Sequence, residues 1–130
     1  MSLLPNLEKA ATATLISIGG GANSNGNVID LQPYKGPVSF VLAVGQSATG
    51  TGSVASANIE TSSDNSNFET VNGGDFTPVT NSANVDNIGV QVKTFDVREL
   101  SRYARVPLVI SGTTPNVPVT VTVIGQKERV

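Results

Sequence analysis

The chain has 130 residues, a net charge of −2 and only 14% charged residues. This length suffices for one domain with one core. Because there is no basic excess, we do not expect nucleic acid as a partner. Because there is neither Cys nor His, disulfides, thiol catalysis and the commonest general base are excluded. No apolar run is long enough for a membrane-spanning helix, so we expect no membrane association.

The composition favours β-structure. There are 18 Val, 7 Ile and 13 Thr against only 8 Leu, and β-branched residues are enriched in strands. Ser, Thr, Asn and Gly together make up 51 residues, and Gly, Asn and Ser are typical of turns. Regular alternation of Val and Ile argues against disorder.

In chain order, residues 1–10 form an arm with one brief helical turn, and residues 11–130 form a single domain. The periodicity predicts eight strands, at residues 12–18, 28–31, 38–44, 54–61, 68–71, 88–97, 103–110 and 117–123. A turn at 32–37, a polar turn at 62–67 and a helical turn at 98–102 connect some of them. The expected fold class is all-β, a β-sandwich or jelly roll of about eight short strands.

Three local features refine this prediction. A change of phase between Val92 and Phe95 predicts a β-bulge near Lys93 and Thr94. Pro107 cannot donate a ladder hydrogen bond and therefore marks an edge position or a bulge. The stretch 72–87 is weakly patterned and is expected to be a loop. The residues expected in the core are Val38, Phe40, Leu42, Ile59, Phe68, Val106, Leu108, Val119, Val121 and Val123.

No residue cluster predicts catalysis, a cofactor or a metal site. The ten carboxylates are scattered singly along the chain. The segment Asp64–Asn67 has clustered oxygen ligands but lacks the glycine and glutamate of a calcium-binding EF-hand loop, and an Asx-turn explains it better. We therefore expect no enzyme activity.

Two segments are candidate interfaces. Arg98, Arg102 and Arg105 lie within eight residues of one another. They either pair with Asp96 and Glu99 or contact an acidic partner. The arm carries Leu3, Leu4 and Leu7, and such a short apolar segment can dock onto a neighbouring subunit.

A resemblance adds to this interpretation. Residues 59–68, then Arg102–Val106, then 110–115 closing on 119–125 resemble the capsid decoration or minor head proteins of tailed bacteriophages, over roughly residues 27–126. The resemblance implies a non-enzymatic subunit of the phage head, made in the bacterial cytoplasm. It further implies a homo-oligomer, a trimer being favoured, that binds the major capsid protein or another virion protein.

An alternative stays open. Similar segments occur in discoidin-like sandwich domains, so a carbohydrate- or receptor-binding β-sandwich is the second interpretation. Sugar-binding platforms usually present exposed aromatic rings, and this chain has no Trp and two Tyr. Neither family supplies a binding residue that can be transferred to this sequence.

Overall fold

The computed structural model describes residues 10–18, 23–45, 52–79, 89–112 and 117–127. The strands in these ranges are β1 (Ala10–Ile18), β2 (Ile29–Asp30), β3 (Tyr34–Val44), β4 (Ser53–Ser62), β5 (Glu69–Asp75), β6 (Gly89–Asp96), β7 (Tyr103–Arg105), β8 (Leu108–Ser111) and β9 (Val119–Lys127). A single 3-10 turn, Val97–Glu99, accompanies them in the described ranges. None of the described helical structure is long and apolar enough to cross a membrane.

The strands form two antiparallel sheets. The first sheet has the order β1-β9-β3-β6, and the second has the order β2-β7-β4-β5 with β8 also paired to β4. β7 and β8 pair with successive parts of β4, on either side of Val106 and Pro107. The inner faces of the two sheets enclose one apolar core. The predicted β-sandwich is therefore confirmed.

Alternation along β3 and β9 supplies the centre of the core. Val38, Phe40 and Leu42 are fully buried, while the residues between them are half-buried. β9 lies beside β3 with Phe40 opposite Val123 and Leu42 opposite Val121. Since successive side chains of a strand point to opposite faces, this register places every second residue of both strands in the core.

The predicted core is confirmed at nine of its ten positions. Phe68 is the exception: it is half-buried, and its ring lies beneath the Arg105 guanidinium, 4.0 Å from its centre. Several other residues are buried although they were not among the predicted core positions. They include Leu31, Tyr34, Phe76 and Val117.

The turn predicted at 32–37 is shorter than expected, because β3 already begins at Tyr34. The register with β9 shifts between Lys35 and Val38, and Gly36 takes the positive φ of +72° that favours glycine at such a bulge. The buried Tyr34 ring lies against Gly125. A Cβ atom at position 125 would lie 2.7 Å from Tyr34 Cδ2, so the ring needs glycine there.

Three local predictions are corrected. The bulge near Lys93 and Thr94 is wrong, because β6 pairs with β3 in one continuous register from Gly89 to Asp96. Pro107 does not lie at an edge; it follows β7 at a gap in the ladder between that strand and β8. The loop expected from residue 72 begins later, since β5 extends to Asp75.

The ends of the predicted elements also differ slightly. Ala10, predicted as the last residue of the arm, is the first residue of β1. The predicted helical turn at 98–102 is a 3-10 turn at Val97–Glu99. Leu3, Leu4 and Leu7 lie outside the described residues.

Truncation of the central ring tests this core. We expect Phe40→Ala to lower the free energy of unfolding by about 3–5 kcal/mol, because it removes a buried ring and leaves a cavity. Val109→Ala is the control. Val109 is 40% exposed on β8, and its truncation should cost less than about 0.5–1 kcal/mol. Urea unfolding with an unchanged slope measures both values. Equal costs for the two variants would contradict the assigned core.

Candidate interaction surfaces

The outer face of the first sheet is free of charge over most of its length. We call it the neutral face, and it consists of the outward-facing residues of β3, β6 and β9, which are Ser39, Val41, Ala43, Val90, Val92, Thr94, Thr120, Thr122 and Ile124. Three of its aliphatic residues are strongly exposed: Val90 at 65%, Val92 at 56% and Ile124 at 44%. Solvent-facing strands usually carry polar side chains, so this face is unusual.

One end of the neutral face is a depression and the other end is bounded by charge. The depression has a volume of ≈ 410 Å³, and its lining includes Ala43, Val90, Pro118 and Thr120. At the opposite end, Pro37 pairs with Asp96 and Lys35 pairs with Gln126. The charged residues on the outer side of the first sheet thus lie at this end of the strands, beyond Ser39.

The outer face of the second sheet has the opposite character. Glu60 on β4 pairs with Arg105 on β7, and Arg105 Nε donates to Glu60 Oε1 at 2.9 Å. Both side chains are about three-quarters buried, and the Arg105 guanidinium also lies over the Phe68 ring. A partly desolvated ion pair with a cation–π contact fixes Arg105 within its own chain.

Arg102 is held in a similar way. Its Nε and Nη2 donate to the two carboxylate oxygens of Asp30 at 3.1 and 2.9 Å. Its guanidinium carbon lies 5.0 Å from the centre of the Tyr103 ring. The hydrogen bonds from Arg102 lower the pKa of Asp30. Both partners are almost half exposed, so this bidentate pair adds orientation more than stability.

Arg98 pairs with Asp96 at the 3-10 turn. Its Nε and Nη2 donate to Asp96 Oδ1 and Oδ2 at 3.1 and 3.2 Å. Asp96 also caps the turn by accepting from the Arg98 N–H, and the Glu99 side chain accepts from the Asp96 N–H. The Arg98 side chain is 89% exposed. It is therefore the arginine of the cluster that reaches furthest into solvent.

The three arginines of the cluster are thus paired within the chain. Pairing within the chain was one of the two interpretations of the sequence, and contact with an acidic partner was the other. Only Arg98 uses the predicted partner Asp96. Arg102 and Arg105 pair instead with Asp30 and Glu60, which lie far away in sequence. Sequence proximity gave no signal for these two pairs. A role of the cluster in an interface stays a prediction.

The polar turn after β4 is organised around Asp64. Its Oδ1 accepts from the backbone N–H groups of Ser66 and Asn67, both at 2.9 Å, and from the Ser62 hydroxyl at 2.8 Å. Its Oδ2 accepts from Asn67 Nδ2, and Asn65 has a positive φ of 60°. These bonds define an Asx-turn. In the described part of the chain, no three Asp or Glu side chains come together as a metal site.

The two tyrosines provide no platform for sugar stacking. Tyr34 is buried at 7% exposure. Tyr103 is half-buried and has the Arg102 guanidinium near its ring. An open cleft of ≈ 280 Å³ lies beside Tyr34 and is lined by Leu31, Tyr34, Val97, Leu100 and Arg102, among others. No carboxylate pair lines this cleft.

Comparison with known proteins gives a fold likeness. No family model matches the sequence, and no curated protein is significantly similar to it. The solved structure of the SPBc2 prophage-derived protein YomS is similar, with a TM-score of 0.51 and 12% identity over 89% of this chain and 93% of that chain.

Two larger proteins contain a similar domain. The PBSX exported protein XepA has a TM-score of 0.54 and 13% identity over 93% of this chain, which spans 38% of XepA. VP2 in the infectious bursal disease virus subviral particle has a TM-score of 0.51 and 13% identity over 90% of this chain, which spans 32% of VP2. At these identities the likeness establishes the fold.

The Asp64 turn generates a prediction about pH. Hydrogen bonds from the Asn67 and Ser66 backbone, followed by the Ser62 hydroxyl, hold the pKa of Asp64 far below its ordinary value. A carboxyl with a lowered folded-state pKa stabilises the fold fully above the unfolded pKa of about 3.9, and this stabilisation is lost as the pH falls further. We therefore expect the free energy of unfolding to fall less steeply between about pH 5 and pH 2 in Asp64→Asn than in the unaltered protein.

Denaturation at several pH values measures this effect, and NMR titration of the Asp64 carboxyl measures its pKa directly. Ser63→Ala changes an exposed residue of the same turn and serves as the control. Its stability should depend on pH as that of the unaltered protein does. An ordinary pKa for Asp64, with no difference between Asp64→Asn and the unaltered protein, would contradict the assignment.

Proposed function

We propose that the protein is a non-enzymatic structural subunit of a phage particle that binds the capsid lattice as a homo-oligomer. The observation that carries this proposal is the neutral face, an uncharged sheet surface on which Val90, Val92 and Ile124 are strongly exposed. Contiguous exposed apolar patches on soluble proteins often mark interaction sites. A surface of this kind suits contact with another protein better than contact with a charged or soluble small molecule.

The fold likeness supports the phage assignment. One similar structure is named as a prophage-derived protein, SPBc2 YomS, and another as the PBSX exported protein XepA. A third, VP2, is named as part of a subviral particle. These names supply the context of the proposal, and together with the sequence resemblance to decoration proteins they favour the virion as its location. The bacterial cytoplasm is then where the chain is made.

The strand order supports a finer description of the fold. Both sheets place strands that are distant in sequence side by side, in the orders β1-β9-β3-β6 and β2-β7-β4-β5. We infer a jelly roll, an arrangement in which two antiparallel sheets are linked by repeated crossings from one sheet to the other. In the second sheet β7 and β8, which pair with successive parts of β4, together take the place of one strand.

Lack of enzymatic activity is supported by what the chain contains. The sequence has no His and no Cys. Of the seven acidic residues in the described ranges, Asp30, Glu60, Asp64 and Asp96 are engaged by arginine or by hydrogen bonds within a turn. A hydrolase requires a base or a nucleophile that is free to act on a substrate.

The proposed partners are copies of the same chain and the major capsid protein or another virion protein. The resemblance to decoration proteins favours a trimer. The proposed contacts of that trimer are the arm residues Leu3, Leu4 and Leu7 together with the arginine segment. Within the segment, Arg98 is best placed to reach a neighbour because its side chain is 89% exposed.

A binding assay separates this proposal from a sugar-binding module. We expect the purified protein to bind mature capsids of its own phage, measured by co-sedimentation, and to give no signal on a glycan array. Capsids lacking the protein, prepared by gene deletion, provide the vacant lattice. Binding to a defined glycan without binding to capsids would reverse the assignment and favour the carbohydrate- or receptor-binding interpretation.

The arm generates a second test. Deleting residues 1–9 leaves β1 intact, since that strand begins at Ala10. We expect this deletion to shift the oligomer towards smaller species at micromolar concentration while circular dichroism still reports a β-sandwich. Multi-angle light scattering at several concentrations measures the mass.

A matched variant separates arm length from arm chemistry. Leu3→Ser, Leu4→Ser and Leu7→Ser combined keep the length but remove the apolar side chains, and they should act like the deletion. An unchanged mass after deletion would exclude the arm as a contact. A monomeric full-length chain at high micromolar concentration would contradict the homo-oligomer itself.

A further inference from the structure

We propose that the neutral face is a two-fold contact between copies of this chain, a proposal that rests on the homo-oligomer proposed above and gives one of its contacts. In this contact, the first sheets of two subunits pack face to face. The central row of the face consists of Val92, Val41 and Thr122, which are paired across β6, β3 and β9. A two-fold axis along this row places each of the three residues opposite itself.

The two ends of the neutral face are complementary to each other. The depression of ≈ 410 Å³ lies at the end that includes Ala43, Val90 and Thr120. Ile124, the largest side chain of the face, lies four residues further along β9 and is 44% exposed. Rotation about the central row reverses the strand direction and keeps β9 opposite β9. The Ile124 side chain of each copy then meets the depression beside Thr120 of the other.

The face is also flat enough for a second sheet. Its described residues are Ser, Thr, Ala, Val and Ile, and none is longer than Ile124. Stacked sheets lie about 10 Å apart, and a long charged side chain would prevent this approach.

The chemistry of the face selects a second copy as its occupant. A nucleic acid or an acidic lipid surface would require cations, and a sugar would favour aromatic rings; the nine residues include neither. Their polar groups are hydroxyls, which both donate and accept hydrogen bonds. Ser39 and Thr94 already form such a bond within the chain at 2.8 Å. On the proposed axis Thr122 is opposite itself, so its hydroxyl can pair with the same hydroxyl of the other copy.

The size of the face determines the expected strength. Three strands about 4.8 Å apart, each with about five residues that rise about 3.4 Å apiece, give roughly 250 Å² in projection for each copy. Two copies thus stay below the total of about 1,000–1,200 Å² that stable complexes bury. We therefore expect a weak, reversible contact, which joins monomers into dimers or trimers into hexamers.

The β6 edge of the first sheet is a poorer contact than the face of the sheet. β6 is an edge strand, and Lys93 in its middle is opposite the core residue Phe40. Lys93 thus points to the inner side of an edge strand, where a charge discourages the addition of another strand. This favours association by stacking over association by sheet extension.

Charge introduced into the face tests the inference. We expect Val92→Lys combined with Ile124→Lys to raise the dissociation concentration at least tenfold and to halve the mass at intermediate concentrations, measured by sedimentation. Val109→Lys is the matched control, because Val109 is an exposed strand valine at 40% on the outer side of the second sheet. An unchanged mass for the double variant, or an equal loss for the control, would overturn the inference.

Cysteine cross-linking provides an independent readout, since the chain has no Cys. Val92→Cys should be joined to its own counterpart by a short bismaleimide cross-linker, because it lies on the proposed axis and stacked sheets about 10 Å apart are too distant for a direct disulfide. Val109→Cys should remain unlinked under the same conditions. Equal cross-linking of both variants, or none at position 92, would also overturn the contact.

Capsid binding separates this inference from the proposed function. A double variant with lower mass that still binds capsids supports the two-fold contact and leaves the structural role intact. A protein whose mass is unaffected by the double variant, but whose capsid binding is lost, would assign the neutral face to a capsid protein. That outcome overturns the inference and supports the proposed function.

Discussion

The structure depends above all on the inner side of β3. Val38, Phe40 and Leu42 are fully buried there, and β3 is flanked by β9 and β6 in its sheet. A slip of one residue would turn Phe40 outward and bring Val41 into the core. The buried stripe therefore fixes the register of both neighbours. Through these registers it also determines which residues form the outer surface.

The outer surfaces divide the molecule into a charged side and an uncharged side. In the second sheet, two ion pairs join β2, β4 and β7 across long sequence separations. They are Arg102 with Asp30 and Arg105 with Glu60. Each of these ion pairs stabilises its sheet only modestly because it is at least partly solvated. Their greater consequence is that the charges are neutralised within the chain. The first sheet has no comparable pairs across its neutral face, where the exposed groups are small, aliphatic or hydroxylic.

Much of the fold could be predicted from period-two alternation, because that pattern directly reflects burial on one face of a strand. Val119, Val121 and Val123 show it most clearly, and all three are buried. Alternation failed on β6, where Val90 and Val92 point outward and Phe95 points inward. The change of phase indicated a bulge, whereas the strand is regular and its outward side is apolar. An exposed aliphatic face breaks the assumption that apolar residues point to the core.

The candidate surfaces were harder to predict than the fold. Arg98 and Asp96 are close in sequence, so their pairing could be foreseen, but Arg102 and Asp30 are separated by 72 positions. Only the register of β2 with β7 brings them together. The neutral face likewise combines residues of three strands. The sequence of no single strand predicts the neutral face, because each strand alone shows an ordinary alternation of apolar and small residues.

The residue types of the neutral face bear on how so small a surface could hold a partner. Association immobilises side chains, and long charged side chains lose the most conformational entropy when they become fixed. Val, Thr, Ser and Ala lose little, since branching at Cβ or short length already limits their rotamers. Desolvation also costs less where there is no charge to strip of water. On a face of this composition, entropy and desolvation therefore offset less of the favourable free energy of apolar burial than on a charged face of equal area. In an assembly of many identical copies, individually weak contacts of this kind act together and stabilise the whole.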